Sequence, residues 1–338
     1  MTTTDTPRPI LDHGASRPMY EGVLVNLSAG ADVVTAMSEA GLDYGVEKRP
    51  LYGIDQDAGY IESHPHGAQP HHVMVSVPDK ALIVRNDGPL DKLRPLAVVG
   101  HEYHVITNLD AFAPLDALRR EGRITFAQGG CTKDGRHAFL VCMLAEGATI
   151  PGGDPHQRYI LAKTSHDGTG ALRLSAMTSR LFCTNQIPAI IGSRIGEKVL
   201  SIHHGRKAGD RMAELPAMLD MMLAHLDEFD REWEALCATK ATSRDVDEFL
   251  VRLFPTPHGR DVTPRMIANV NERRRSVDRL ITHAPSTVGI RGTAAAMFAA
   301  ATEWDQHGRG TDVGRRSARV LEGRASEFTR RAWELAHA

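Results

Sequence analysis

The feature that most constrains the fold is a run of apolar residues in the second half of the chain, spaced alternately three and four residues apart. Such spacing places the apolar side chains on one face of an α-helix, and it continues for about three heptads. Acidic residues fill seven of the seventeen intervening positions, and Pro216 must lie in the first helical turn, where its missing N–H is tolerated. The pattern predicts one long amphipathic helix with its seam at Met212, Leu215, Leu219, Met222, Leu226, Phe229, Trp233 and Leu236.

The middle of the chain instead has the patterns of paired strands. Segments 158–165 and 171–183 are joined by Asp167-Gly168, a hairpin signal because glycine accepts positive φ without steric cost. Segment 138–144 is apolar at every position, as expected for a central strand that is covered on both faces. Together with the helical second half, these patterns predict the α+β class, with a central antiparallel sheet, packed helices and a mainly helical C-terminal region.

The same patterns predict how the chain is divided. Residues 1–20 are polar, rich in proline and without apolar periodicity, which predicts a disordered N-terminus. Residues 21–211 form the predicted α+β core domain, and residues 212–338 the helical C-terminal region. Two local predictions concern the core domain: a hairpin formed by segments 96–99 and 103–106, and a helix that begins after a cap at Asn108.

Composition excludes several classes of protein. The 338 residues are 42% hydrophobic and 24% charged, which is ordinary for a folded domain and excludes collagen-like and low-complexity chains. The four cysteines have no CxxC spacing, so a zinc ribbon and a thioredoxin-type motif are excluded. The start has no signal-peptide pattern, and the longest strongly apolar stretch, 294–301, is far below the ~20 residues that span a bilayer. We therefore expect a cytoplasmic protein without a membrane partner, and no motif implies a cofactor.

The net charge of −2 is a cancellation between segments. Residues 1–151 carry 13 basic and 19 acidic residues, which is −6, and residues 152–211 carry 9 and 4, which is +5. Residues 212–250 carry 3 and 10, which is −7, and residues 251–338 carry 15 and 9, which is +6. Such asymmetry between neighbouring segments is typical of chains that bind charged partners.

The basic block 152–211 contains the candidate phosphate contacts. Lys163 and Arg173 occupy neighbouring predicted strands and are expected on the same face of the sheet or close together across the hairpin. A row of cations on one face can follow a phosphate backbone, although a solvated sheet face explains the same residues. Aromatic residues for base stacking are sparse in the block. The candidates for nucleic-acid binding are Arg158, Lys163, Arg173, Arg180, Arg194, Arg206 and Lys207.

Two further groups of residues are candidates for chemistry. Ser165, His166 and Asp167 are consecutive, and neighbouring side chains of a strand point to opposite faces, so the three residues cannot form a catalytic triad within a strand. A turn at Asp167-Gly168 explains the aspartate without catalysis. Imidazoles are good metal ligands, but no carboxylate or cysteine stands at a diagnostic spacing from the clustered histidines, which favours a solvated loop. The catalytic candidates are Ser165, His166, Asp167, Asn185 and His203, and the metal candidates are His64, His66, His71 and His72.

Several segments together resemble the DUF932 family, a domain of unknown function found in phage- and plasmid-like proteins. The most specific is Thr164-Ser165-His166-Asp167-Gly168-Thr169-Gly170-Ala171-Leu172, and the resemblance covers about residues 20–335. Met19-Tyr20-Glu21-Gly22 stands where the family usually has a Trp-His pair with glycines. The remaining segments are 42–52, 98–108 with the Ala111-Phe112 helix, 178–185, 201–204, and Gly292-Thr293 with the helix that ends at 303–307.

The resemblance implies a setting on mobile elements, in replication, recombination or defence, rather than an established activity. Our first hypothesis is a protein that binds or anneals single-stranded DNA or RNA and acts as a homo-oligomer through the helix at 212–236. The outline of a sheet followed by a helix is similar to single-strand annealing proteins. The alternatives are an enzyme centred on the turn at 165–167 and His203, and an interaction protein whose heptad helix binds a partner.

Overall fold

The computed structural model divides into a mixed α/β half and a helical half. It describes residues 23–55, 60–61, 69–70, 73–87, 93–145, 148–150, 154–180, 186–188, 201–308, 312–321 and 326–338. The N-terminal segment predicted to be disordered lies outside the described residues. The division into domains at residues 20 and 211 stays a prediction.

One large antiparallel sheet forms the centre of the molecule. Its main strands follow the order β1-β7-β8-β10-β11-β12, with β9 paired to β10 and β13 paired to β11. The antiparallel sheet predicted from the Asp-Gly turn and the apolar runs is confirmed. Its strands are β1 (Val25–Asn26), β7 (Ile124–Thr132), β8 (His137–Leu144), β9 (Ala148–Ile150), β10 (Asp154–Ser165), β11 (Leu172–Arg180), β12 (Gln186–Pro188) and β13 (Ser201–Ile202).

A smaller sheet packs against the same core. It contains β2 (Gly45–Asp55), β5 (Val73–Asn86) and β6 (Leu93–Gly100) in the order β2-β5-β6, and β3 (Tyr60–Ile61) and β4 (Gln69–Pro70) form a separate pair. The predicted hairpin of 96–99 with 103–106 is wrong. Strand β6 pairs with β5 instead, because that partner is a long strand with a free edge, whereas residues 101–106 turn away toward the large sheet.

The described part of the chain from residue 208 onward is helical, as the apolar periodicity predicts. No helix there or earlier among the described residues is long and apolar enough to cross a membrane. A 3₁₀ turn covers Pro285–Thr287, and a π-helix at Trp304–Gly308 follows α8. The helices are α1 (Val33–Glu39), α2 (Asn108–Phe112), α3 (Leu115–Arg120), α4 (Ala208–Ala213), α5 (Leu215–Ala238), α6 (Ser243–Leu253), α7 (Pro264–His283), α8 (Ala294–Glu303), α9 (Val313–Leu321) and α10 (Ser326–Ala336).

Helix caps explain where two of these helices begin. Thr107, not Asn108, caps α2, and it forms a capping box with Asp110, which leaves Asn108 free to enter the core. Thr242 and Asp245 form the same reciprocal pair at the start of α6. In both boxes the threonine hydroxyl and the aspartate carboxylate satisfy backbone N–H groups that have no partner within the helix.

The two faces of the large sheet bury different residues. On the inner face, residues such as Leu140 and Ile160 pack with helices α1 to α3 and with the smaller sheet. On the outer face, Phe139, Tyr159 and their neighbours form a second cluster that includes Leu321 of α9. Every residue of β8 is buried, which confirms the prediction of a central strand covered on both sides.

The apolar seam of α5 packs within the chain. Leu226, Phe229, Trp233 and Leu236 are each at most 2% exposed and belong to the main core. Trp233 and Phe229 stack with Trp333 of α10. The periodicity at these positions is therefore accounted for by the folding of the chain itself. The prediction of one helix through Met212 is wrong, because Met212 lies on α4 and Pro216 stands in the first turn of a separate helix, α5. Met212 is partly buried against the same core, and the side chains of Leu215, Leu219 and Met222 lie outside the described part of the structure.

Candidate functional site

The turn between β10 and β11 has a local structure that accounts for its sequence. Asp167 Oδ1 accepts hydrogen bonds from the Thr169 backbone N–H at 3.0 Å and from the Thr169 hydroxyl at 2.5 Å. Gly168 has φ of +73°, where a side chain would be strained. A Cβ on Gly170 would lie 2.8 Å from Ser165 Oγ, so the turn closes tightly over the serine. The predicted turn is confirmed, and Lys163 pairs with Arg173 in the hairpin that it joins.

Asp167 points to the outer side of the sheet, where it meets a buried histidine. Its Oδ2 lies 2.9 Å from Nε2 of His137, which is 3% exposed at the start of β8. Burial acts to raise the pKa of Asp167, but the hydrogen bonds from Thr169 and the adjacent His137 outweigh it and hold that pKa below its ordinary value. Asp167 is therefore ionised near neutral pH and links the two hairpin turns at this end of the sheet.

His166 points to the opposite side and links the sheet to α2. Its ring is 1% exposed, and Nε2 donates to Asn108 Oδ1 at 2.8 Å. Asn108 in turn donates to the backbone oxygen of Leu42 at 2.9 Å. Burial lowers the pKa of His166 to about 3, with the neighbouring histidines acting in the same direction. The neutral ring therefore serves as a buried structural link.

A second histidine is buried beside this turn. The ring of His204 stacks on Tyr103 with centroids 4.9 Å apart and an interplanar angle of 3°, and its Nδ1 donates to the backbone oxygen of His104 at 3.1 Å. The Tyr103 hydroxyl donates to the backbone oxygen of Ser165 at 3.1 Å. Burial lowers the pKa of His204 to about 4 and raises that of Tyr103. These contacts attach the segment around residue 204 to the β10–β11 turn.

The catalytic candidates do not converge. Ser165, His166 and Asp167 point to different partners, and the Ser165 hydroxyl is buried with no hydrogen-bond partner among the described residues. His203 is exposed, and Asn185 lies outside the described residues. A cavity of about 520 Å³ opens nearby, but the residues that line it include none of these candidates; they are His104, Val105, Ile106, Asp110, Ala113, Pro114, Met212 and Ala213.

The predicted metal candidates are the clustered histidines that precede β5. His64, His66, His71 and His72 all lie outside the described residues. Within the part that the structure describes, no group of three or more histidine, cysteine, aspartate or glutamate side chains is arranged to hold a metal ion. The expectation about these four histidines stays untested.

The outer face of the sheet brings the central pair of basic candidates together. Lys163 and Arg173 are direct cross-strand partners, so their side chains share the outer face. The Lys163 ammonium lies 5.4 Å from the centroid of the Phe139 ring, and Arg173 is exposed. Lys133 and Arg136, in the neighbouring β7–β8 turn, are also exposed at this end of the sheet. We call these four residues the basic cluster.

Other basic candidates lie elsewhere. Arg158 lies on the inner face, where its guanidinium forms ion pairs with Asp227 and Asp230 of α5. It is therefore a link between sheet and helix, on the face opposite to Lys163 and Arg173, and its contact with phosphates stays a prediction. Arg206 pairs with Glu102 at 2.9 Å on the surface.

Lys207, the residue before α4, is exposed. The side chain of Arg180 and the whole of Arg194 lie outside the described residues. The structure therefore brings Lys163 and Arg173 together but does not show one row through all seven predicted positions.

Sequence reasoning missed the residues that surround the turn. His137, Asn108, Tyr103 and His204 are 30 to 100 positions from the residues they contact. Of these four residues, His137 alone could have been found from the sequence, because a predicted pairing of β8 with β10 would place it opposite Ser165. Lys133 and Arg136 were missed because the segment around them contains the hairpin turn Lys133-Asp134-Gly135, and turn formation is sufficient to explain a polar segment there.

Comparison with known proteins gives one match. No curated protein and no solved structure matches the chain. A family model, described as a domain of unknown function, matches residues 95–333, which include both turns, the basic cluster, α5 and the Trp304–Gly308 segment. The chain belongs to the DUF932 family.

Proposed function

We propose that the chain binds single-stranded nucleic acid at the basic cluster, through phosphates, and that it acts on DNA or RNA during replication or recombination of mobile elements. The observation that carries the proposal is the cross-strand pairing of Lys163 with Arg173 on the outer face, beside the exposed Lys133 and Arg136. Directly opposed residues of adjacent strands have Cβ atoms about 5 Å apart, so Lys163 and Arg173 are close enough to contact the same strand of nucleic acid.

The surroundings of the basic cluster support contact with phosphates rather than with bases. Two acidic residues lie at this end of the sheet: Asp167 is already occupied by His137 and Thr169, and Asp134 is exposed in the β7–β8 turn. Phe139 beneath Lys163 is fully buried, so it is not available for stacking on a base. Binding through phosphates alone is sequence-independent and falls steeply with salt.

The test is the salt dependence of binding. A fluorescent single-stranded oligonucleotide, as DNA and as RNA, is titrated with the full chain between about 50 and 200 mM salt, where the slope reports phosphate contacts. The double variant Lys163→Ala/Arg173→Ala should reduce the slope of log K against log salt by about 1.4, since each lost contact to a single strand contributes about 0.7. Nuclear magnetic resonance or circular dichroism confirms that the variant is folded.

The matched control removes the same charge from the helical half of the chain. Lys240 and Arg244 are both exposed and lie outside the basic cluster, so Lys240→Ala/Arg244→Ala should keep the wild-type slope. The proposal is abandoned if the wild-type protein retains no oligonucleotide at about 50 mM salt, where phosphate binding is strong. It also fails if the control variant weakens binding as much as the double variant does.

Annealing requires more than binding, because two strands of nucleic acid must be held close together. A homo-oligomer meets this demand, and we propose that the chain is one. Leu226, Phe229, Trp233 and Leu236 of the predicted seam are buried within the chain, so these four residues do not form the contact between copies.

A further inference from the structure

The β7–β8 turn, which carries Lys133 and Arg136 of the basic cluster, has an unusual backbone. Lys133 and Asp134 have φ of +52° and +59°, and among the described residues they are the two non-glycine residues with positive φ. Gly135 follows them with φ of +94°. A left-handed backbone is unfavourable for a lysine, because its Cβ lies too close to the following carbonyl oxygen. Such a turn persists only where contacts from the surrounding structure hold it.

Two side chains from distant parts of the chain make these contacts. The hydroxyl of Tyr44, the residue before β2, donates to the backbone oxygen of Gly135 at 2.7 Å. Arg85 of β5 donates from Nη1 to the backbone oxygen of Asp134 in a longer contact of 3.5 Å. The Arg85 guanidinium also lies 3.8 Å from the centroid of the Tyr44 ring. We call Tyr44 and Arg85 the clamp, because together they bind two successive carbonyl groups of the turn.

The clamp fits the turn closely and is itself held in place. A Cβ on Gly135 would lie 2.6 Å from Arg85 Nη1 and 3.1 Å from the Tyr44 hydroxyl. Asp87 Oδ1 accepts from Arg85 Nε at 2.6 Å, so the charge of this arginine is already paired. Tyr44 is 6% exposed, and burial raises its pKa to about 12. The hydroxyl therefore keeps its proton near neutral pH and remains a hydrogen-bond donor.

The clamp is also in contact with the second turn at this end of the sheet. The Tyr44 ring meets His166 edge-on, with centroids 6.4 Å apart and an interplanar angle of 83°. The His166 backbone N–H in turn donates to the backbone oxygen of Arg136 at 2.7 Å. On the outer side, the Lys133 ammonium lies 3.5 Å from His137 Nε2. One buried tyrosine therefore contacts both of the turns beside which the basic cluster lies.

We propose that Tyr44 and Arg85 are positioning residues for nucleic-acid binding, which hold the β7–β8 turn so that Lys133 and Arg136 bind the same phosphate backbone as the rest of the basic cluster. Tyr44 belongs to the main core, so it acts through the turn and does not touch the ligand. A turn that is held before binding lowers the entropic cost of ordering its cations on the ligand. The inference rests on the proposed function, because it concerns the same site.

The test uses a substitution that removes no charge. Tyr44→Phe deletes the hydrogen bond to Gly135 and keeps the ring, so a change in the salt slope of oligonucleotide binding reports the position of the turn. The double variant Lys133→Ala/Arg136→Ala should reduce the slope of log K against log salt by about 1.4, from two contacts of about 0.7 each. Tyr44→Phe should reduce it by about 0.7 to 1.4, according to whether one or both contacts are lost. A tyrosine with a structural role only would lower stability and keep the slope.

A double-mutant cycle shows whether Tyr44 acts through the turn. In the chain that already lacks the two turn cations, Tyr44→Phe should cause no further change in the slope, because the contacts that it controls are absent. Independent effects would instead add. Circular dichroism confirms that each variant is folded.

A second variant and a control accompany the cycle. Gly135→Ala disturbs the clamp from the side of the turn, since its Cβ would displace the end of Arg85, and it should lower the slope as Tyr44→Phe does. Tyr159→Phe is the matched control. Its hydroxyl is buried on the outer face of the same sheet without a hydrogen-bond partner among the described residues, so its removal should keep the wild-type slope.

Three results would overturn the inference and leave the proposed function standing. One is a wild-type slope in both Tyr44→Phe and Gly135→Ala. Another is an effect of Tyr44→Phe that is as large in the chain without Lys133 and Arg136 as in the wild type. The third is a wild-type slope in Lys133→Ala/Arg136→Ala while Lys163→Ala/Arg173→Ala lowers it. A wild-type chain that retains no oligonucleotide at about 50 mM salt contradicts the proposed function, and the inference then falls with it.

Discussion

At the scale of single residues, a glycine of the large sheet allows a helix to pack closely against it. Gly129 of β7 lies against Ala40 at the end of α1, and a Cβ on the glycine would be 2.7 Å from Ala40 Cβ and 3.3 Å from a methyl group of Leu140. The two buried neighbours leave no space into which a methyl group could move. This glycine therefore sets the distance between α1 and the inner face of the sheet.

Gly129→Ala should destabilise the protein by about 1–3 kcal/mol, the usual cost of overpacking a core. Urea unfolding measures the change in free energy. Gly100→Ala, at a position with no atom within 4 Å of the added Cβ, is the matched control and should have little effect. If the two substitutions cost the same, the helix and the sheet are not in the contact described.

The buried histidines make stability depend on pH. Burial lowers the pKa of His204 from its ordinary value of 6.5 to about 4. Between these two pH values the His204 side chain is protonated in the unfolded chain and neutral in the folded chain. Stability should therefore fall as the pH falls through this window, by up to about 1.4 kcal/mol per pH unit for this histidine. His166, with a pKa of about 3, adds a slope of the same sign.

His204→Phe should reduce that pH dependence, because phenylalanine keeps the stack on Tyr103 but binds no proton. Urea unfolding at about pH 7.5 and about pH 5 measures the slope on either side of the ordinary histidine pKa. His203→Phe changes the exposed neighbour and should leave the slope as in the wild type. Equal slopes in all three proteins would mean that His204 is not buried in its neutral form.

At the scale of elements, the contact between the large sheet and α5 depends on an ion pair as well as on apolar packing. Arg158 of β10 is 15% exposed and Asp230 13%, and the arginine also reaches Asp227 at 2.8 Å. Hydrogen bonding to the two carboxylates raises the pKa of Arg158 despite its partial burial. Two acidic positions one turn apart on α5 thus share a single cation from the sheet.

Arg158→Ala should destabilise the protein by about 1.5–3 kcal/mol, because Asp230 would remain partly buried without its guanidinium partner. Chemical denaturation measures this. Arg206→Ala breaks the pair with Glu102, whose side chains are 81% and 67% exposed, and should cost about 0–1 kcal/mol. If Arg158 instead contacts phosphates, its removal would lower the salt slope of oligonucleotide binding and leave stability unchanged.

At the scale of the whole molecule, the net charge of −2 is a cancellation between segments. Residues 152–211 carry +5 and residues 251–338 carry +6, whereas residues 1–151 carry −6 and residues 212–250 carry −7. The fold places the basic cluster at one end of the outer face of the large sheet, whereas Asp227 and Asp230 of the acidic helix α5 pair with Arg158 on the inner face.

Local patterns in the sequence were sufficient for the class of fold and for several elements. The Asp167-Gly168 turn, the covered strand β8 and the helix α5 each follow from spacing or from one residue's backbone preference, and such signals act over a few residues. The α+β class, the antiparallel hairpin and the helical second half are confirmed for that reason. The cap of α2 was misplaced by one position because threonine and asparagine both cap helices.

Only the tertiary structure decided which residues meet. His137, Asn108 and Tyr103 reach the β10–β11 turn from distant segments, and no local pattern encodes a pairing that depends on how sheets and helices pack. The seam of α5 shows the same limit, because an apolar face predicts burial but not whether a second copy or the same chain covers it. The sequence by itself determined most of the helices and strands. Packing decided that Arg158 pairs with a helix, whereas Lys163 and Arg173 share the outer face of the sheet. The reason is that alternation along a strand assigns side chains to faces only when the register of the strand is known.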